Sequence, residues 1–93
     1  MAELSVCVGR ACRSKAGRDK GRYFLIYQIV DEQYVLLVDG VVRKMAKPKR
    51  KKSKHLELKP FVAESIERKW AEGVKVFDAE INSALHALGY NDD

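Results

Sequence analysis

The chain is poor in the residues that usually anchor chemistry or staple a small fold. Of its 93 residues only two are cysteine, two histidine, two proline and one tryptophan. Two cysteines are too few for a disulfide scaffold, and a metal cage would need further thiols or nearby histidines. His55 and His86 stand alone in the sequence, so neither a metal nor a cofactor is expected. On one strand Cys7 and Cys12 would face opposite sides, which disfavours pairing, and two buried free thiols suit a reducing, cytoplasmic setting. Long apolar runs are missing too: nothing approaches the roughly 18 residues of a membrane span. Met1-Ala2-Glu3-Leu4-Ser5 has neither the basic start nor the apolar stretch of a secretory leader. Ser5, Ser14, Ser53, Ser65 and Ser83 lack a convincing histidine or acid partner, and triads need such geometry. Gly17 and Gly21 flank a loop, but the lysine-serine ending of a phosphate-binding P-loop is absent. No enzymatic activity is expected.

What the chain has is charge, unevenly placed. Hydrophobic residues make up 46% and charged ones 33%, a composition that supports one folded domain with a modest core. The net charge of +5 conceals a split. Residues 1–54 carry 14 of the 18 Lys+Arg and 5 of the 13 acids, a net of +9; residues 55–93 carry −4. A concentrated positive field favours a polyanion, with nucleic acid ahead of a membrane surface or an acidic protein.

The pattern of elements is mainly β. Val6 to Arg13 reads as a first strand, and Ser14 to Gly21, with two glycines, as a loop. Tyr23 to Val30 is aromatic and β-branched, the strongest strand signal in the chain. Asp31-Glu32-Gln33 breaks it, Tyr34 to Val38 forms the next strand, and Asp39-Gly40 suits a hairpin turn into Val41 to Lys44. His55-Leu56-Glu57-Leu58 alternates with strand period. Five short strands in some fifty residues point to a small barrel over residues 6–59. Residues 60–93 read as a helical C-terminal extension of two short helices. Pro60 suits the first turn of the first, with Phe61, Val62, Ile66 and Trp70 along one face and Gly73 as its end. Asp78 is placed to cap the second, whose apolar stripe is Ile81, Ala84, Leu85 and Leu88, ending at Gly89.

Two basic clusters are the candidate site. The first is Arg10, Arg13, Lys15, Arg18, Lys20 and Arg22, opposed only by Asp19. The second lies in the loop 43–54, where eight of twelve positions are basic: Arg43, Lys44, Lys47, Lys49, Arg50, Lys51, Lys52 and Lys54. A loop tethered at both ends by a folded scaffold loses less entropy on binding than a free tail. If both clusters lie on one side, phosphate contacts would dominate recognition, since a lysine ammonium is a point charge rather than a planar fork. Tyr23, Phe24, Tyr27 and Tyr34 are available for stacking, although core roles are expected for most of them.

Gly17-Arg18-Asp19-Lys20-Gly21-Arg22 and the strand after it resemble the KOW motif of ribosomal proteins and NusG-type transcription elongation factors. Val8-Gly9-Arg10, Val35-Leu36-Leu37-Val38-Asp39-Gly40 and Lys54-His55-Leu56-Glu57-Leu58 extend the likeness to the KOW-bearing large-subunit ribosomal proteins of archaea and eukaryotes. The short bacterial KOW RNA-binding proteins, helical tail included, are more similar still. The resemblance implies a small SH3-like five-stranded β-barrel followed by two short α-helices. It also implies RNA, ribosomal RNA above all, as the ligand of a ribonucleoprotein serving translation. The loop glycine would permit the bend, here Gly21, and Lys15, Arg18, Lys20 and Arg22 would reach phosphates. The basic insert 43–54 is longer than in the shortest KOW modules. Two further readings stand beside RNA binding. One is a protein-interaction module docking on transcription or translation machinery through the acidic tail, with Trp70 and Ile66 as contacts. The other is a peripheral membrane protein; it lacks the second, apolar signal that stable anchoring takes, so no membrane partner is expected.

Overall fold

The computed structural model describes residues 4–91; Met1 to Glu3, on which part of the leader reading rests, and the last two residues lie outside them. Five strands precede two helices: β1 (Arg10–Ser14), β2 (Tyr23–Ile29), β3 (Tyr34–Val38), β4 (Lys49–Lys52), β5 (Leu56–Val62), α1 (Glu64–Ala71) and α2 (Asp78–His86). A single 3-10 turn, Ser53–His55, joins β4 to β5. All pairings are antiparallel and the order is β4-β3-β2-β1-β5. No ladder joins β4 to β5 among the described residues, so the sheet is not closed into a barrel, whereas the strand count had suggested closure. None of the described helices is long and apolar enough to cross a membrane.

Both faces of the sheet are buried, which explains why β2 is apolar at nearly every position instead of alternating. Phe24 and Ile26 turn to one face and join Cys12, Val35, Leu37 and Leu56. Leu25 turns to the other, with Ala11 and Val38, and there α1, α2 and their connection lay Ile66, Val76, Ile81 and Leu85 over it. Phe24, Leu25, Ile26, Leu37, Ile81 and Leu85 are fully buried, each contributing about 1.5–3 kcal/mol. Neither of the described α-helices contributes to the cluster on the first face. Its cluster spans β5 to β3, strands separated in the order by β1 and β2, so the sheet must curl to bring them together. Burial in this cluster pushes the Cys12 thiol up to about 12, while Cys7 is half-buried and both are free.

Several boundaries differ from those expected. The first strand begins at Arg10 rather than Val6. Val41 to Lys44 is not the returning strand; β4 forms later, inside the basic run. Pro60 does not start a helix but sits in β5, where the missing N–H is tolerated because β5 is an edge. Phe61 and Val62 accordingly belong to the strand. Gly73 does end α1, its N–H reaching the Trp70 carbonyl at 3.2 Å while Val74 N–H reaches Lys69 at 2.8 Å. Asp78 is the first residue of α2 rather than its cap, and Glu80 accepts the N–H of Phe77 at 2.8 Å. Leu88 is exposed beyond the helix.

The sequence predicts a hairpin turn at Asp39-Gly40, but the glycine serves a close approach. A Cβ on Gly40 would stand 2.2 Å from the Asp78 carbonyl oxygen, and its φ is +80°. The segment after β3 is thereby pressed onto the start of α2, and the Asp78 carboxylate also accepts the Met45 N–H at 2.8 Å. Gly40→Ala is expected to cost about 2–4 kcal/mol from left-handed strain and overlap together. Thermal unfolding followed by circular dichroism would show a loss of roughly 10 °C or more.

Candidate nucleic-acid interface

The β1–β2 loop is held in shape by its own backbone. Ser14 N–H donates to the Arg22 carbonyl at 3.0 Å, and Gly21 N–H donates to the Ser14 carbonyl at 2.8 Å. Gly21 has φ +88°, a left-handed angle at which a side chain would be strained. Lys15, Arg18 and Lys20 project from this loop and are exposed. The second basic segment runs from Arg43 through β4 into the 3-10 turn, with Lys44, Lys47, Arg50 and Lys54 exposed and Lys49, Lys51 and Lys52 half-buried.

The two segments meet. Lys51 Nζ donates to the carbonyl of Ala16, and the open space over Gly17 is what admits it: a Cβ there would lie 3.2 Å from that nitrogen. Arg43 donates twice to Asp19 Oδ2, at 3.0 and 3.2 Å. Lys15 N–H donates to the His55 carbonyl at 2.8 Å, which sets the loop beside the 3-10 turn carrying Lys54. These contacts set the β1–β2 loop against the basic segment and the 3-10 turn.

Not every expected cation is exposed. Arg22 pairs with Asp39, whose carboxylate is wholly buried and also accepts the N–H groups of Val41 at 3.0 Å and Arg43 at 2.7 Å. Arg43 is committed to Asp19, itself nearly buried. Arg10 lies against β5 and donates to the carbonyl of Lys59 at 2.8 Å. Arg13 donates to Glu57 at 2.8 Å, directly opposite in the ladder. These four arginines brace the fold. Same-sign charge concealed the distinction in the sequence; the only hint was Asp19 and Asp39, two of the few acids in the first 54 residues.

On β4 the pleat divides the cations between two faces. Lys49 and Lys51 lie opposite Leu37 and Val35, and Arg50 and Lys52 opposite Leu36 and Tyr34. The Arg50 guanidinium lies over the Tyr34 ring, 4.1 Å from its centroid, and Lys52 Nζ is 5.8 Å away. Tyr34 is thus the one named aromatic that joins the cationic rim. Phe24 is core, Tyr23 stacks on Tyr90 at 3.9 Å, and Tyr27 meets Trp70 edge-on at 4.9 Å. The carboxylate of Asp31 accepts the N–H groups of Gln33 and Tyr34 at 2.8 and 2.9 Å. Those bonds, with Arg50 nearby, hold it below its ordinary value. No family model matches the chain.

Two outcomes follow from these pairings. Arg43→Gln strands the Asp19 carboxylate and is expected to cost about 1–3 kcal/mol, whereas Lys44→Gln changes stability by less than about 0.5 kcal/mol; chemical denaturation of the two variants checks this. At Glu57, hydrogen bonds from Arg13 and then Lys59 hold the carboxyl down at about 2, from an ordinary 4.5. A depressed folded-state value means the stabilisation is present above pH 4.5 and drains away as pH falls toward 2. Glu57→Gln should therefore flatten the acid limb of the melting temperature against pH across that window.

Proposed function

We propose that this chain is a non-catalytic RNA-binding protein of the KOW type, with an SH3-like fold, that holds RNA through phosphate contacts along its cationic edge. The strand order, the 3-10 turn between β4 and β5 and the core shared by β5 and β3 support the SH3-like reading. The observation that carries the functional reading is the meeting of two distant basic segments at Lys51–Ala16 and Arg43–Asp19. On this reading the contact joins the two charge runs, and exposed Lys15, Arg18, Lys20, Lys47, Arg50 and Lys54 are the cations that meet phosphate. A cytoplasmic ribonucleoprotein, with ribosomal RNA as the ligand and the ribosome as its setting, is the form of this function that the KOW resemblance favours.

The protein-docking reading has a narrower footing. Ile66 is buried and Trp70 packs on Tyr27, so the two contacts expected for it are engaged within the fold. What remains on that side are exposed Val74 and Phe77 in the α1–α2 connection.

Affinity for a structured RNA, measured across salt concentrations, tests the proposal. Neutralising roughly 6–8 phosphates gives a log–log slope of about −4 to −7. Lys15, Lys20, Lys47 and Lys54 are exposed and take part in none of the ion pairs found among the described residues. Replacing all four with glutamine should make the slope shallower by about 3, with thermal stability preserved. A flat salt response in the native protein, or unchanged affinity in the variant, sinks the reading.

A further inference from the structure

Phosphate contacts alone make any RNA equivalent, yet one part of the edge is built differently from a bed of point charges. Within the run Lys49-Arg50-Lys51-Lys52 a single arginine interrupts the lysines, and it is the cation nearest the Tyr34 ring, 4.1 Å from its centroid. Tyr34 is half-buried and Arg50 exposed. The ring therefore supports one side of the guanidinium while the other side meets solvent. A supported guanidinium is a flat, weakly hydrated cation, and such planes stack well on nucleobases.

The ground beside it is shaped and polar. Lys52, which approaches the same ring at 5.8 Å, also lines a depression of about 280 Å³ with Glu32, Gln33, Ser53 and Lys54. Ser53 is fixed there, its N–H donating to the Gln33 carbonyl at 2.8 Å. The Glu32 carboxylate repels phosphate but accepts hydrogen bonds from the amino groups on base edges. Lys52 and Lys54 suit the phosphates on either side of such a base. Asp31 restrains the backbone of this corner by accepting the N–H groups of Gln33 and Tyr34.

We propose that Arg50, layered on Tyr34, is a stacking seat for one unpaired nucleobase, so that the preferred ligand is RNA carrying a bulged or looped-out nucleotide. This rests on the RNA-binding reading and adds ligand class to it. A paired duplex engages the lysines but leaves the seat empty.

The test uses the full chain and two RNAs, a fully paired duplex and the same duplex with one unpaired fluorescent aminopurine. The native protein is expected to bind the second about tenfold more tightly and to quench the aminopurine. Arg50→Lys keeps the charge and removes the plane. It should abolish both the preference and the quenching. Tyr34→Leu, which removes the support, should act in the same direction. An Arg50→Lys protein that keeps the preference and the quenching overturns the seat. So does a native protein that binds both RNAs equally without quenching, and in that case salt-dependent RNA binding itself stands. Failure of the native protein to bind either RNA instead refutes the RNA-binding reading on which the seat depends.

Discussion

Two crossed ion pairs hold the cationic edge in place. Each joins an arginine of one basic segment to an acid near the other: Arg22 of the first reaches Asp39 beside the second, and Arg43 of the second reaches Asp19 within the first. Asp39 does the larger share, since its buried carboxylate also accepts the N–H groups of Val41 and Arg43 and so shapes the turn that leaves β3. A buried carboxylate is tolerable only when fully hydrogen-bonded, and here it is. The pairs also change what solvent meets. Asp19 and Asp39 are withdrawn from the surface, and among the described acids of the first 54 residues Asp31 and Glu32 remain exposed. Each pair withdraws one acid together with one arginine, so the exposed charge of this edge is carried by the remaining cations, chiefly lysines.

The helices cover the Leu25 face of the sheet with Ile66, Ile81 and Leu85 and are structurally part of the core rather than an appendage. Deleting residues 61–93 would strip Leu25 and Val38 of their cover, so a truncated chain would report on folding before it reported on any partner. Their exposed charges are mixed, the acids Glu64 and Glu72 beside Arg68 and Lys75, in contrast to the unbroken run of cations on β4.

Much of the β architecture was legible because burial leaves a compositional trace. Phe24–Ile26 and Val35–Val38 are apolar because both faces of the sheet are covered there, and Gly73 is visible as a helix end. Other parts left no such trace. β4 is four consecutive cations, so alternation of hydrophobicity, the usual mark of a strand, has nothing to act on. Pro60 carries opposite meanings at a helix start and on an edge strand, and only the pairing with β1 decides between them. Gly40 looks the same in a hairpin turn as under a helix, because the partner that demands it, the Asp78 backbone, lies far along the chain. Arg10, Arg13, Arg22 and Arg43 could not be told from the rim cations, since charge is visible in sequence and its partner is not.

The composition of β4 answers two demands at once. An edge strand offers a row of unpaired N–H and C=O groups to any other strand, and lysines along it oppose such pairing by repulsion and by their mobile, hydrated ends. Their aliphatic stems still serve the core: Lys49 and Lys51 lie opposite Leu37 and Val35 and are half-buried, shielding those leucine and valine side chains, while the Lys51 ammonium reaches across to the Ala16 carbonyl. A strand protected in this way is a fixed row of cations at strand spacing, with none of the ordering cost a flexible tail would bear on binding. The residues that keep the edge from recruiting another β-strand are the same residues that suit it to phosphate. Arg50 is the exception to both roles, since a lysine would repel a neighbouring strand equally well. Its planarity matters only for what it lies on and for what can lie on it.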